Sequence, residues 1–106
     1  MPSGRSKPRV QIVNSKYIQK LFNEGRYAER QQAGEFAALV VKDRHPSAPR
    51  APVPICTRSQ LILYKDQRRR TVAIVHQYLL PSGKLGASGK PDPKQLWHEG
   101  VLYQVL

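Results

Sequence analysis

The chain has 106 residues, with 18 Lys plus Arg against 7 Asp plus Glu and a single Cys, for a formal net charge of +11. That length supports one domain. One cysteine excludes a disulfide framework, a Cys-rich zinc ribbon and an iron–sulfur cluster, and the absence of an 18-residue apolar run excludes a membrane-spanning helix.

Residues 1–10, MPSGRSKPRV, carry three basic side chains, two Pro and no acid. No apolar stretch follows that would make them a secretory signal. Residues 1–13 are expected to form a flexible basic arm, with Arg5, Lys7 and Arg9 free to lie along phosphates. Residues 14–25 predict a helix. Asn14 or Ser15 caps it, Ile18, Leu21 and Phe22 form one apolar stripe, and Gly25 ends it. Residues 27–32 extend the pattern as a second helical turn that breaks at Gly34.

Residues 35–43, EFAALVVKD, are short and apolar with paired Val, which favours a strand. The following stretch 44–54 holds four Pro and reads as a stiff connector carrying His45 and Arg50. Residues 60–65 and 71–80 predict a β-hairpin around the 66–69 turn. Its second strand is apolar on both faces, so it should be central. Residues 81–93 hold three Gly and three Pro and read as a loop. Asp92 then caps a short predicted helix over 93–99, with Pro93 at its first position and Trp97 packed on the sheet. Residues 101–106, VLYQVL, read as the last strand. The fold class is therefore α+β. It is a small single domain over 14–106, with an N-terminal helix, an antiparallel sheet of about four strands, and a short helix before the last strand.

Three clusters of cations stand out. Arg68, Arg69 and Arg70 sit at the hairpin tip, where a β-ribbon can meet phosphates or a groove. Lys84 and Lys90 alternate with Gly83, Gly86 and Gly89, and Lys94 follows. The Gly-rich loop resembles a phosphate cradle. It is no Walker A loop: position 84 is Lys where the first Gly belongs, and Pro91 stands where the metal-binding hydroxyl belongs. The third cluster is the arm.

His45, His76 and His98 with Cys56 make no metal-ligand spacing, and His98-Glu99 lacks the second His of a zincin, so no metal and no cofactor is expected. His76 lies mid-strand, two residues before Tyr78. As a general base it would suit a metal-free ribonuclease, with His98 as acid or phosphate clamp and Arg or Lys stabilising the phosphorane. Tyr64 and Tyr78, on neighbouring strands, would make a base-stacking pair if exposed together.

The leading expectation is a cytoplasmic nucleic-acid-binding protein, for RNA or DNA, acting mainly through phosphate contacts. The alternatives are a toxin-like endoribonuclease using His76, His98 and Tyr78, and an interaction protein that docks an acidic protein partner. The apolar C-terminal strand would also pair with a second copy of the chain if it lay at a sheet edge.

Overall fold

A computed structural model of the chain describes residues 9–44, 57–86 and 90–105. The elements run β1 (Arg9–Val13), α1 (Ser15–Glu24), α2 (Tyr27–Gln32), β2 (Ala37–Arg44), β3 (Arg58–Lys65), β4 (Thr71–Leu79), β5 (Asp92–His98) and β6 (Val101–Val105). All six strands join one sheet in the order β1-β6-β5-β4-β3-β2. β1 runs parallel to β6, and every other pairing is antiparallel, so the sheet is mixed.

The first helix forms as its sequence dictates. Asn14 is extended and its side chain accepts from the Tyr17 backbone N–H at 2.8 Å, which satisfies one of the helix's orphan donors. Ile18, Leu21 and Phe22 are buried on one stripe. Gly25 ends the helix for a steric reason. Its own φ is −79°, open to any residue, but a Cβ there would collide with the Tyr27 ring. The left-handed turn falls instead on Arg26, at φ 56°.

The two helices cover one face of the sheet. Ile18, Phe22 and Tyr27 pack on Ile62, Tyr64, Ala73, Val75 and Leu96, each apolar side chain contributing about 1.5–3 kcal/mol on full burial. Rings organise this layer. Phe22 and Tyr27 stack at 5.8 Å between centroids, Tyr27 and Phe36 at 5.9 Å, and the Arg30 guanidinium lies 4.6 Å from the Phe36 ring centre. Glu35 pairs with Arg30, which holds that cation over the rings and keeps its guanidinium more firmly protonated than usual.

Four expectations need correction. The sheet has six strands, because two segments expected to be otherwise are strands. Arg9–Val13, placed in the basic arm, pairs with β6 through an alternating pattern in which Val13 packs toward the core. Residues 93–99, expected to be helical, are mostly β5. Pro93 and Leu96, both buried, are three apart, which mimics a helical stripe. The spacing arises because Lys94 is an extra residue opposite β4, in a bulge between the pairs Ile74–Gln95 and Val75–Pro93. β5 and β6 are joined by Glu99 and Gly100, at φ 50° and 81°, the two-residue turn that matches strand twist. The condition set for the last strand to pair with a second copy is not met, since β6 is flanked by β5 and β1 and the edges are β1 and β2. Finally, Trp97 does not pack under the helices. Its neighbour Leu96 does, and strand alternation turns Trp97 to the opposite face, 36% exposed.

Candidate functional site

The hairpin tip is shaped by one carboxylate. Asp66 Oδ1 accepts from the backbone N–H groups of Arg68 and Arg70, each at 2.9 Å, and Oδ2 accepts from Arg70 Nε at 2.9 Å. These bonds, chiefly that from the Arg70 backbone, hold the Asp66 carboxyl below its ordinary pKa. Arg69 takes φ 63° to close the turn. Arg70 is thus oriented by Asp66, while Arg68 and Arg69 have no ion-pair partner among the described residues.

Trp97 stands beside this tip. A groove of about 490 Å³ is lined by Trp97, Asp66, Arg70, Thr71 and Val72. Trp97 is held from behind. The Tyr27 hydroxyl donates to the Trp97 carbonyl at 3.1 Å and meets His98 Nδ1 at 2.9 Å. Burial raises the Tyr27 pKa, with Arg30 opposing. On the outward face the row continues from Trp97 to Leu102 and Val10, which are paired across β5, β6 and β1.

A second candidate lies at the other end of the sheet. His76 Nε2 meets Ser59 Oγ at 2.8 Å, and the Tyr78 ring stands edge-on to the imidazole at 4.7 Å. Burial lowers the His76 pKa, Lys94 lowers it further, and Asp92 partly opposes them. Lys94 Nζ donates to Asp92 Oδ2 at 2.8 Å. His76, Tyr78, Asp92 and Lys90 share a groove of about 320 Å³ with Ser15, Lys16 and Gln19 of α1. A further hollow, about 740 Å³, runs along edge strand β1 and is lined by uncharged side chains among the described residues.

The structure brings some expected residues together and separates others. His76, Tyr78, Lys90 and Lys94 gather at one end. His98 does not join them. It faces the helices against Tyr27, on the opposite face from His76. Asp92, the strand partner of His76, lies six residues from His98, about 20 Å along β5. The hairpin cations 68–70 and Lys84 are likewise apart, since the nine residues of β4 lie between them, roughly 25 Å. Tyr64 and Tyr78 do not pair: Tyr64 is buried against Phe22, whereas Tyr78 stands by His76 on the other face. Arg9 begins β1, near the hairpin-tip end of the sheet. Arg5, Lys7, His45 and Cys56 lie outside the described residues.

Sequence reasoning missed Trp97 as an exposed residue and Ser59 as the His76 partner. The Glu99-Gly100 turn is the signal that could have found Trp97, since it makes 92–98 the first arm of a hairpin. Among the described residues no group of three or more His, Cys, Asp or Glu is placed to hold a metal ion, and no helix is long and apolar enough to cross a membrane. No protein-family model, no curated protein sequence and no solved structure matches this chain.

Proposed function

We propose that this protein is a small nucleic-acid-binding domain that holds RNA or DNA mainly by its phosphates. The observation that carries this reading is the fate of the carboxylates. Of seven Asp and Glu, five pair with nearby cations: Glu29 with Arg26, Glu35 with Arg30, Asp43 with Arg58, Asp66 with Arg70 and Asp92 with Lys94. These five pairs leave 13 of the 18 Lys and Arg outside them. Among the described residues Arg9, Lys16, Lys20, Lys42, Arg44, Lys65, Arg68, Arg69 and Lys84 carry no ion pair. Such a surface attracts a polyanion and releases its condensed counterions on binding. Protein purified at low salt should carry nuclease-sensitive material that absorbs at 260 nm. Clean protein that fails to take up added RNA or DNA at low salt overturns the reading.

A second reading is favoured by one observation, the His76–Ser59 contact beside Tyr78 and Lys94. A His whose pKa is lowered is neutral at pH 7 and able to accept a proton, and a neighbouring Lys suits a phosphorane. In this reading His76 takes the 2′-OH proton of RNA as the 2′-oxygen bonds to phosphorus, the P–O5′ bond breaks, the leaving 5′-oxygen takes its proton from water, and His98 has no part. RNA cut in the presence of EDTA by the parent, and left intact by His76→Ala, supports it. Equal cleavage by the two proteins, or none by the parent, removes it.

A further inference from the structure

We infer that the groove between Trp97 and the 66–70 turn takes an unpaired base, so that the bound polymer is single-stranded. This rests on the nucleic-acid reading above and names the substrate class within it. Three observations converge. The indole, the largest side chain of the strand, is turned out of the core by strand alternation and is 36% exposed. The groove beside it, about 490 Å³, is inside the ~300–1,000 Å³ range of small-ligand sites. The charged groups that line it are Arg70 and Asp66, which pair with each other, and Arg68 and Arg69 belong to the same turn and make no ion pair among the described residues, Arg68 lining the neighbouring groove beside Glu35 and Phe36.

An aromatic face next to unpaired guanidinium groups offers both halves of single-strand recognition. The ring stacks on a base and the cations neutralise the flanking phosphates. A duplex keeps its base faces stacked inside and can offer only phosphates to the same rim. A second copy of this chain fits the surface less well, because it would bring the same +11 and the same arginine turn against it. The tether from Tyr27 to the Trp97 carbonyl keeps the strand, and so the ring, in place for stacking.

The chain contains one Trp, so its fluorescence reports this groove alone. Titrations at low salt would compare a single-stranded 12-mer, its duplex and inorganic polyphosphate. The single strand should quench Trp97 strongly, and the duplex and polyphosphate should bind with little quenching. Trp97→Ala should weaken single-strand binding about tenfold or more. Trp97→Phe should recover much of it, and both variants should keep the parent's far-UV circular dichroism. Equal quenching by all three polymers overturns the inference, as does a Trp97→Ala protein of unchanged affinity. Emission that follows protein concentration, with no response to oligonucleotide, means that a second copy covers the face, and also overturns it. If polyphosphate and duplex bind while the single strand gains nothing, only this inference fails. If nothing binds, the nucleic-acid reading fails with it.

Discussion

The two faces of the sheet are built from alternate residues of the same strands and finished in opposite ways. Under the helices, Leu96 and Val75 are 0% exposed and Tyr64 is 3% exposed. On the other face Trp97 is 36% exposed, and Val10 and Ile12 at the β1 edge are about half exposed. One face closes a core. The other keeps apolar and aromatic surface in water, with no second layer over it among the described residues. The side chains that close the core are therefore distinct from those left exposed on the other face, even between neighbours such as Leu96 and Trp97.

Substitutions can break that separation or sharpen it. The largest effect on stability should come from Leu96→Ala, which leaves a cavity under α1 and should cost about 2–5 kcal/mol in denaturant unfolding. Trp97→Ala, one residue away, should cost about 1 kcal/mol. Comparable losses from the two would mean that the faces are not distinct. Gly25→Ala comes next. The new methyl must displace the Tyr27 ring, which also tethers the Trp97 carbonyl, at about 1–3 kcal/mol by thermal melting. That variant should also alter Trp97 emission, which a purely local helix-end effect would leave unchanged. Asn14→Ala removes the α1 cap and should cost about 1 kcal/mol without changing that emission.

The smallest effects are those of pH. Asp66 has a depressed pKa in the folded chain. Its contribution is full above the ordinary carboxyl value near 3.8 and is lost as pH falls through the folded value. Amide exchange at Arg68 and Arg70 should quicken in that window, and Asp66→Asn should remove the dependence. His76 is also depressed, but it is a base. The unfolded chain binds its proton first, so stability falls as pH drops from about 6.5 toward the folded value and levels off below it. His76→Gln should flatten that slope in a pH series of urea midpoints.

The core face was legible in the sequence because its signals are local. The cap at Asn14 or Ser15, the Ile18, Leu21 and Phe22 stripe and the doubly apolar 71–80 strand are set by near neighbours in the chain, and the structure has them, with Asn14 as the cap and the strand ending at Leu79. The open face was illegible because non-local pairing decides it. Residues 9–13 look like a basic tail until β6 is beside them, and 92–98 look like a capped helix until the Lys94 bulge is seen. Both errors hid the same thing, the placement of Trp97. The cation clusters were legible as composition but not as a site. The length of β4 puts Arg68 and Lys84 at opposite ends, and His98 faces a layer that His76 does not.

Arg68 and Arg69 of the 66–70 turn are proposed to hold a polyanion. The most direct test is single-strand affinity from about 50 to 200 mM salt for the parent, the Arg68→Ala/Arg69→Ala protein and Lys84→Ala. The parent should show a steep linear fall of log K with log salt, and the double variant should lose about one to two units of slope. Lys84→Ala, at the far end of β4, should lose less. A flat salt dependence in the parent, or equal slopes in the parent and the double variant, would contradict the account.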